Sequence, residues 1–81
     1  MQYIVNGKLF DTDKAETLMV YKDSFGFQCW GIYMTKNGVF VRTWYEPGKY
    51  EILTDDGVKS LFERYNKIKA YEKCFGPLEE L

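Results

Sequence analysis

Two runs, Phe27 to Thr35 and Val39 to Glu46, constrain this chain more than any other feature. Both are rich in aromatic and β-branched residues, and Lys36-Asn37-Gly38 separates them. Runs of that kind on either side of Asn-Gly predict a β-hairpin, because Asn and Gly tolerate the positive φ of a tight turn. With Asn37 and Gly38 as the two loop residues, Thr35 stands opposite Phe40, Tyr33 opposite Arg42, Ile32 opposite Thr43, Gly31 opposite Trp44 and Trp30 opposite Tyr45. One face then carries Trp30, Ile32, Met34, Val41, Thr43 and Tyr45. The other carries Phe27, Cys29, Tyr33, Phe40, Arg42 and Trp44. Neither face is plainly polar.

The rest of the chain supplies what such a hairpin can pack against. Tyr3 to Phe10, broken at Asn6-Gly7, reads as a smaller hairpin. Asp13 and Glu16 have capping-box spacing, and Ala15, Leu18 and Met19 form a short apolar stripe, which predicts a helix over 13–21 ended by the turn Asp23-Ser24-Phe25-Gly26. Glu46-Pro47-Gly48-Lys49 is a turn, and Tyr50-Glu51-Ile52-Leu53 continues as a third antiparallel strand, with Glu51 on the Arg42/Trp44 face. Thr54 is placed to cap a helix over 55–67, whose Val58, Leu61, Phe62 and Tyr65 share one side. A short helical piece from Ala70 to Phe75 stops at Gly76-Pro77, and Leu78 to Leu81 reads as a tail.

The expected architecture is one α+β domain over residues 1–81, a three-stranded antiparallel sheet with a short N-terminal hairpin, packed by a C-terminal helix. The helix is expected over Trp30, Ile32, Val41, Tyr50 and Ile52. A chain of 81 residues buries only about 60–65% of the surface its unfolded form exposes, so its core needs large side chains. Seven Tyr, six Phe and two Trp meet that need.

Several classes of function are disfavoured. Eleven basic residues against twelve acidic ones is not the basic excess of a phosphate-backbone binder, and Lys67, Lys69 and Lys73, interleaved with Glu72, read as a solvated helix face. The absence of histidine removes the usual general base at neutral pH and the commonest zinc ligand. Asp55-Asp56 at a helix start complements the helix dipole. Cys29 has no activating neighbour in sequence, and with Cys74 it reads as one of two thiols in apolar surroundings. No glycine-rich phosphate loop is present. The expectation is therefore no enzyme activity, no cofactor and no metal. No signal peptide or membrane span is expected either, which points to the cytoplasm.

The sharpest remaining feature is Tyr33, Phe40, Arg42 and Trp44, with Glu51 beside them. Rings with an arginine suit a second core face, a protein interface, or a stacking platform for single-stranded nucleic acid.

Three segments resemble small proteins found in phages and mobile elements of Gram-positive bacteria. Asn6-Gly7-Lys8-Leu9-Phe10-Asp11-Thr12-Asp13-Lys14-Ala15-Glu16 is similar to their opening. Ile32-Tyr33-Met34-Thr35-Lys36-Asn37-Gly38-Val39-Phe40-Val41 looks like their hairpin, and Tyr71-Glu72-Lys73-Cys74-Phe75-Gly76 like their close. Where those proteins often carry Gly-Glu-Gly-Gly after the hairpin, this chain has Thr43-Trp44-Tyr45-Glu46. The resemblance implies a non-enzymatic protein that binds a host or defence protein, in the manner of anti-CRISPR inhibitors. The alternatives are a single-stranded nucleic-acid-binding module and a homodimeric structural protein.

Overall fold

In the computed structural model, which describes all residues from Met1 to Leu81, the chain is α+β. Strands β1 (Gln2–Val5) and β2 (Lys8–Asp11) form a hairpin of their own. Strands β3 (Glu16–Lys22), β4 (Gln28–Met34), β5 (Phe40–Trp44) and β6 (Tyr50–Leu53) form an antiparallel meander in that order. Helices α1 (Asp55–Arg64) and α2 (Ile68–Phe75) close the chain.

The sheet therefore has four strands, not three, because the segment read as a helix over 13–21 is β3. The reason lies in a bulge. Thr17 pairs with Tyr33 and Met19 with Ile32, which leaves Leu18 as an extra residue. Both Leu18 and Met19 then pack on the helix-side core. Two adjacent apolar residues on one face imitate a helical stripe in sequence. Asp13 does not cap: its N–H donates to Asp11 Oδ1, whereas Glu16 pairs with Lys73. The turn after it is a hairpin loop in which Asp23 Oδ1 accepts from the N–H groups of Phe25 and Phe27.

The central hairpin is real, but its register differs by one residue. Thr35 N–H donates to Val39 O and Gly38 N–H to Thr35 O, so three residues, not two, make the loop. Only Gly38 has positive φ, at 79°, whereas Asn37 does not. This is a turn closed by a left-handed glycine, the usual form of a three-residue hairpin loop. By contrast Asn6 (φ 52°) and Gly7 (φ 75°) both take positive φ, as the two-residue turn of the first hairpin demands. Consequently Trp30 faces Trp44, Gly31 faces Thr43, Ile32 faces Arg42, Tyr33 faces Val41 and Met34 faces Phe40.

A one-residue slip moves a strand's side chains to the opposite face. Phe40, Arg42 and Trp44 thus join Trp30, Ile32 and Met34, while Val41 and Thr43 join Tyr33. On the first face α1 and α2 pack: Met19, Trp30, Ile32, Phe40, Val58 and Phe62 form one buried cluster, with Leu53, Tyr71, Cys74 and Phe75 against it. On the second face the β1–β2 hairpin packs, and Tyr3, Val5, Phe10, Tyr33 and Val41 form another, with Ala15 and Tyr50 beside them. The face expected beneath the helix thus keeps Trp30 and Ile32 but loses Val41, Tyr50 and Ile52 to the hairpin side.

Local signals in the C-terminal third hold. Thr54 Oγ1 accepts from Gly57 N–H at 3.1 Å and caps α1. Val58 and Phe62 are fully buried. Helix α1 ends at Arg64 rather than 67, and α2 begins at Ile68 and stops at Gly76. Neither helix is long and apolar enough to cross a membrane.

Candidate functional site

Arg42 sits on β5 with its side chain on the helix-side face. Trp44, two residues on, shares that face, and Trp30 stands across from Trp44 on β4. The Arg42 guanidinium carbon lies 4.2 Å from the centre of the Trp30 ring and 4.7 Å from that of Trp44. Lys49 Nζ, from the turn before β6, lies 4.9 Å over Trp44. On the far side of the row, Tyr21 of β3 stacks on Trp30 at 5.4 Å with planes 9° apart, and Tyr65 meets Trp30 edge-on. Rings and cations thus cross four segments: Tyr21, Trp30, Arg42, Trp44, Lys49.

The backbone holds Trp44 in place. Its N–H donates to Lys49 O at 3.2 Å, and its carbonyl accepts from Tyr3 Oη at 3.5 Å. Trp30 is buried, so the ring under Arg42 has little freedom.

Arg42 itself makes no ion pair and no side-chain hydrogen bond. Glu51 stands opposite it in register but is outside ion-pair distance. The Nε atom is buried without an acceptor. The cation is positioned by π faces, each such contact being worth about 0.5–1 kcal/mol where partly exposed. Its remaining donors are uncommitted. A planar guanidinium with free N–H groups matches a carboxylate or phosphate in bidentate geometry.

The structure separates the five residues singled out in sequence. Arg42, Trp44 and Glu51 stay together. Phe40 is on the same face but 6% exposed, packed on Phe75 under α2. Tyr33 lies on the opposite face, 7% exposed, edge-on to Phe10 beneath the N-terminal hairpin. Two members of this row, Tyr21 and Trp30, are not legible in the sequence as sharing a face with Arg42. A two-residue loop puts Trp30 on the other face, and a helix over 13–21 takes Tyr21 out of the sheet.

The same end of the sheet exposes Phe25 (84%), Phe27 (71%) and Tyr45 (76%). Exposed aromatic rings and an arginine are the residue types enriched in interface hot spots. No grouping of histidine, cysteine and carboxylate side chains suited to a metal ion occurs. Cys29 and Cys74 are free, half-buried thiols; burial, followed by the nearby Glu16 charge, pushes the Cys74 thiol pKa up.

Comparison with protein-family models, with curated proteins and with solved structures finds no match to this chain.

Proposed function

We propose that this chain is a non-enzymatic binding module that engages a protein partner through Arg42, Trp44 and the exposed rings at that end of the sheet. The observation that carries the reading is an arginine laid over two tryptophans with no hydrogen bond or ion pair of its own. The buried Nε is left without an acceptor, a cost of about 1–3 kcal/mol that the fold itself bears, and the terminal N–H groups are the ones a partner would engage. A partner carboxylate would take up the free guanidinium edge, and Phe25, Phe27 and Tyr45, exposed at the same end of the sheet, would add apolar area. The resemblance to small phage and mobile-element proteins supplies the context: a host or defence protein that this chain binds and modulates.

Two observations weigh against a stacking platform for single-stranded nucleic acid. The Trp30 and Trp44 rings already carry cations of the chain itself, and the net charge is −1. The test is capture from host extract, identification of the captured protein, and titration of the purified pair. Arg42→Ala/Trp44→Ala is expected to weaken binding by about 30-fold or more, in line with hot-spot truncations of about 2 kcal/mol. Equal affinity for both proteins would reject this surface. Tryptophan fluorescence titrated with single-stranded oligonucleotide at low salt is expected to stay flat.

A further inference from the structure

The two C-terminal helices are held in different ways. Helix α1 closes its own C-terminus. Asn66 N–H donates to Glu63 O at 3.3 Å, and Lys67 N–H donates to Phe62 O at 2.8 Å. With Asn66 in the left-handed region at φ 54°, these two bonds form a Schellman cap. Such a cap satisfies the last carbonyls of a helix without help from whatever follows it. Val58 and Phe62 fix α1 to the sheet from inside the core.

Helix α2 has neither support. Its N-cap, Lys67, offers no side-chain acceptor to the first turn, and no acid stands there to meet the helix dipole. Its eight residues fall short of the roughly 12–15 that a helix needs to persist alone in water, so packing alone keeps it helical. That packing is shallow. Ala70, Tyr71, Cys74 and Phe75 touch the helix-side cluster, yet no residue of α2 is buried.

The ties from α2 to the rest of the fold are made by side chains only. Phase-setting contacts come from Phe75, whose ring centre lies 5.8 Å from that of Phe40, with Lys59 Nζ of α1 over it at 4.8 Å. Lys73 pairs with Glu16 of β3, both side chains being partly exposed, and an ion pair of that kind contributes little. No backbone hydrogen bond joins α2 to a strand, or to α1 beyond the joint at Asn66-Lys67. Beside that joint the helices do not close on each other: Phe62, Glu63, Ile68, Tyr71 and Leu78 line an open hollow of about 360 Å³. The tail belongs to α2, since Leu78 N–H donates to Glu72 Oε2.

We infer that α2 is a lid on the helix-side face, which opens about Asn66-Lys67 with its tail and leaves α1 and both sheets folded. Opening breaks the Phe75 contacts and one partly exposed ion pair, and it strands no backbone group of α1 or of the sheets. In the open state α2 unwinds into water, and the Phe40 ring, 6% exposed in the closed state, is uncovered. The lid and its joint include neither Arg42 nor Trp44, so the opening is tested without any partner.

The test is native-state hydrogen exchange, followed residue by residue at urea concentrations below the unfolding midpoint, on wild type and on Val41→Ala. Val41 is 1% exposed on the face away from α2, so its contacts survive when the lid opens. In wild type without urea, the amides of α2 are expected to exchange about 10-fold or more faster than the slowest amides of α1. They should respond weakly to urea, because a short lid exposes little surface, whereas those of α1 should accelerate steeply. Val41→Ala is expected to speed exchange in α1 by about 10-fold, through loss of core packing, and to leave α2 at its wild-type rates. The wild-type series decides by itself should Val41→Ala fail to fold. Amides of α2 that match those of α1 in rate and in urea dependence, or that accelerate equally in Val41→Ala, would show that α2 leaves only when the whole domain unfolds, and would overturn the inference.

Discussion

The Tyr33 ring lies directly over Gly31, two residues before it on β4. A Cβ at Gly31 would sit 2.9 Å from Tyr33 Oη and 3.0 Å from a ring carbon. The ring cannot swing aside freely, since Phe10 meets it edge-on and Gln28 Nε2 donates to its hydroxyl. Gly31→Ala must therefore push the ring or bend the strand. Overpacking of this kind costs about 1–3 kcal/mol. The melting temperature should fall by about 5 °C or more for a domain of this size. Tyr33→Ala in the same chain should make the alanine at 31 nearly harmless; additive losses would mean that the two residues do not compete for the space.

Phe62 is 1% exposed at the centre of the helix-side cluster. Phe62→Ala removes a whole ring from a closed core, a loss of about 3–5 kcal/mol. A domain of this length has about 4–12 kcal/mol in total. Urea unfolding is expected to show the midpoint cut by a third or more. A midpoint within error of wild type would mean that α1 does not close this face.

Arg42→Met separates stability from binding. The change removes the contacts to Trp30 and Trp44, but it also removes a buried Nε without an acceptor. These terms are of opposite sign and of similar size, about 1 kcal/mol each. Thermal stability should stay within about 5 °C of wild type, whereas affinity for the captured partner should fall at least tenfold. A large loss of stability with affinity intact would make Arg42 a structural residue only.

Two ionisable groups give pH-dependent expectations. Hydrogen bonds from Asp13 N–H and Gln2 hold the Asp11 carboxyl below its ordinary value near 3.8. A lowered folded-state value means stability present above the unfolded value and lost as pH falls through the folded one. The gap in melting temperature between wild type and Asp11→Asn should accordingly narrow below pH of about 4. For Cys74, burial and then Glu16 favour the neutral thiol. Iodoacetamide at neutral pH should therefore label it more slowly in the folded chain than in urea, because the thiolate is the reacting form. Equal rates would place Cys74 in open solvent.

Features that depend on neighbours in sequence were legible. Asn6-Gly7 is a two-residue turn because its residues tolerate positive φ wherever they stand. Thr54 caps α1, and Val58 with Phe62 marks its buried side, because both signals act within a turn or two of helix. Leu18-Met19 was misread because a bulge and a helix both put adjacent apolar residues on one side. Asn37-Gly38 was misread by one residue because Gly38 alone satisfies a three-residue loop as well as a two-residue one.

That single residue decided the candidate site. The sequence by itself determined that this chain would be an aromatic-rich α+β fold around a central hairpin, with Arg42 and Trp44 on one side of their strand, since alternation along a strand is a local property. Only the tertiary structure decided which face of β4 they meet. Register sets which side chains share a face, and it depends on how the loop closes and on what packs above each side. Here α1 and α2 took the face with Trp30 and Phe40, and the N-terminal hairpin took Tyr33 and Val41. Arg42 was thereby laid over Trp30 as well as Trp44.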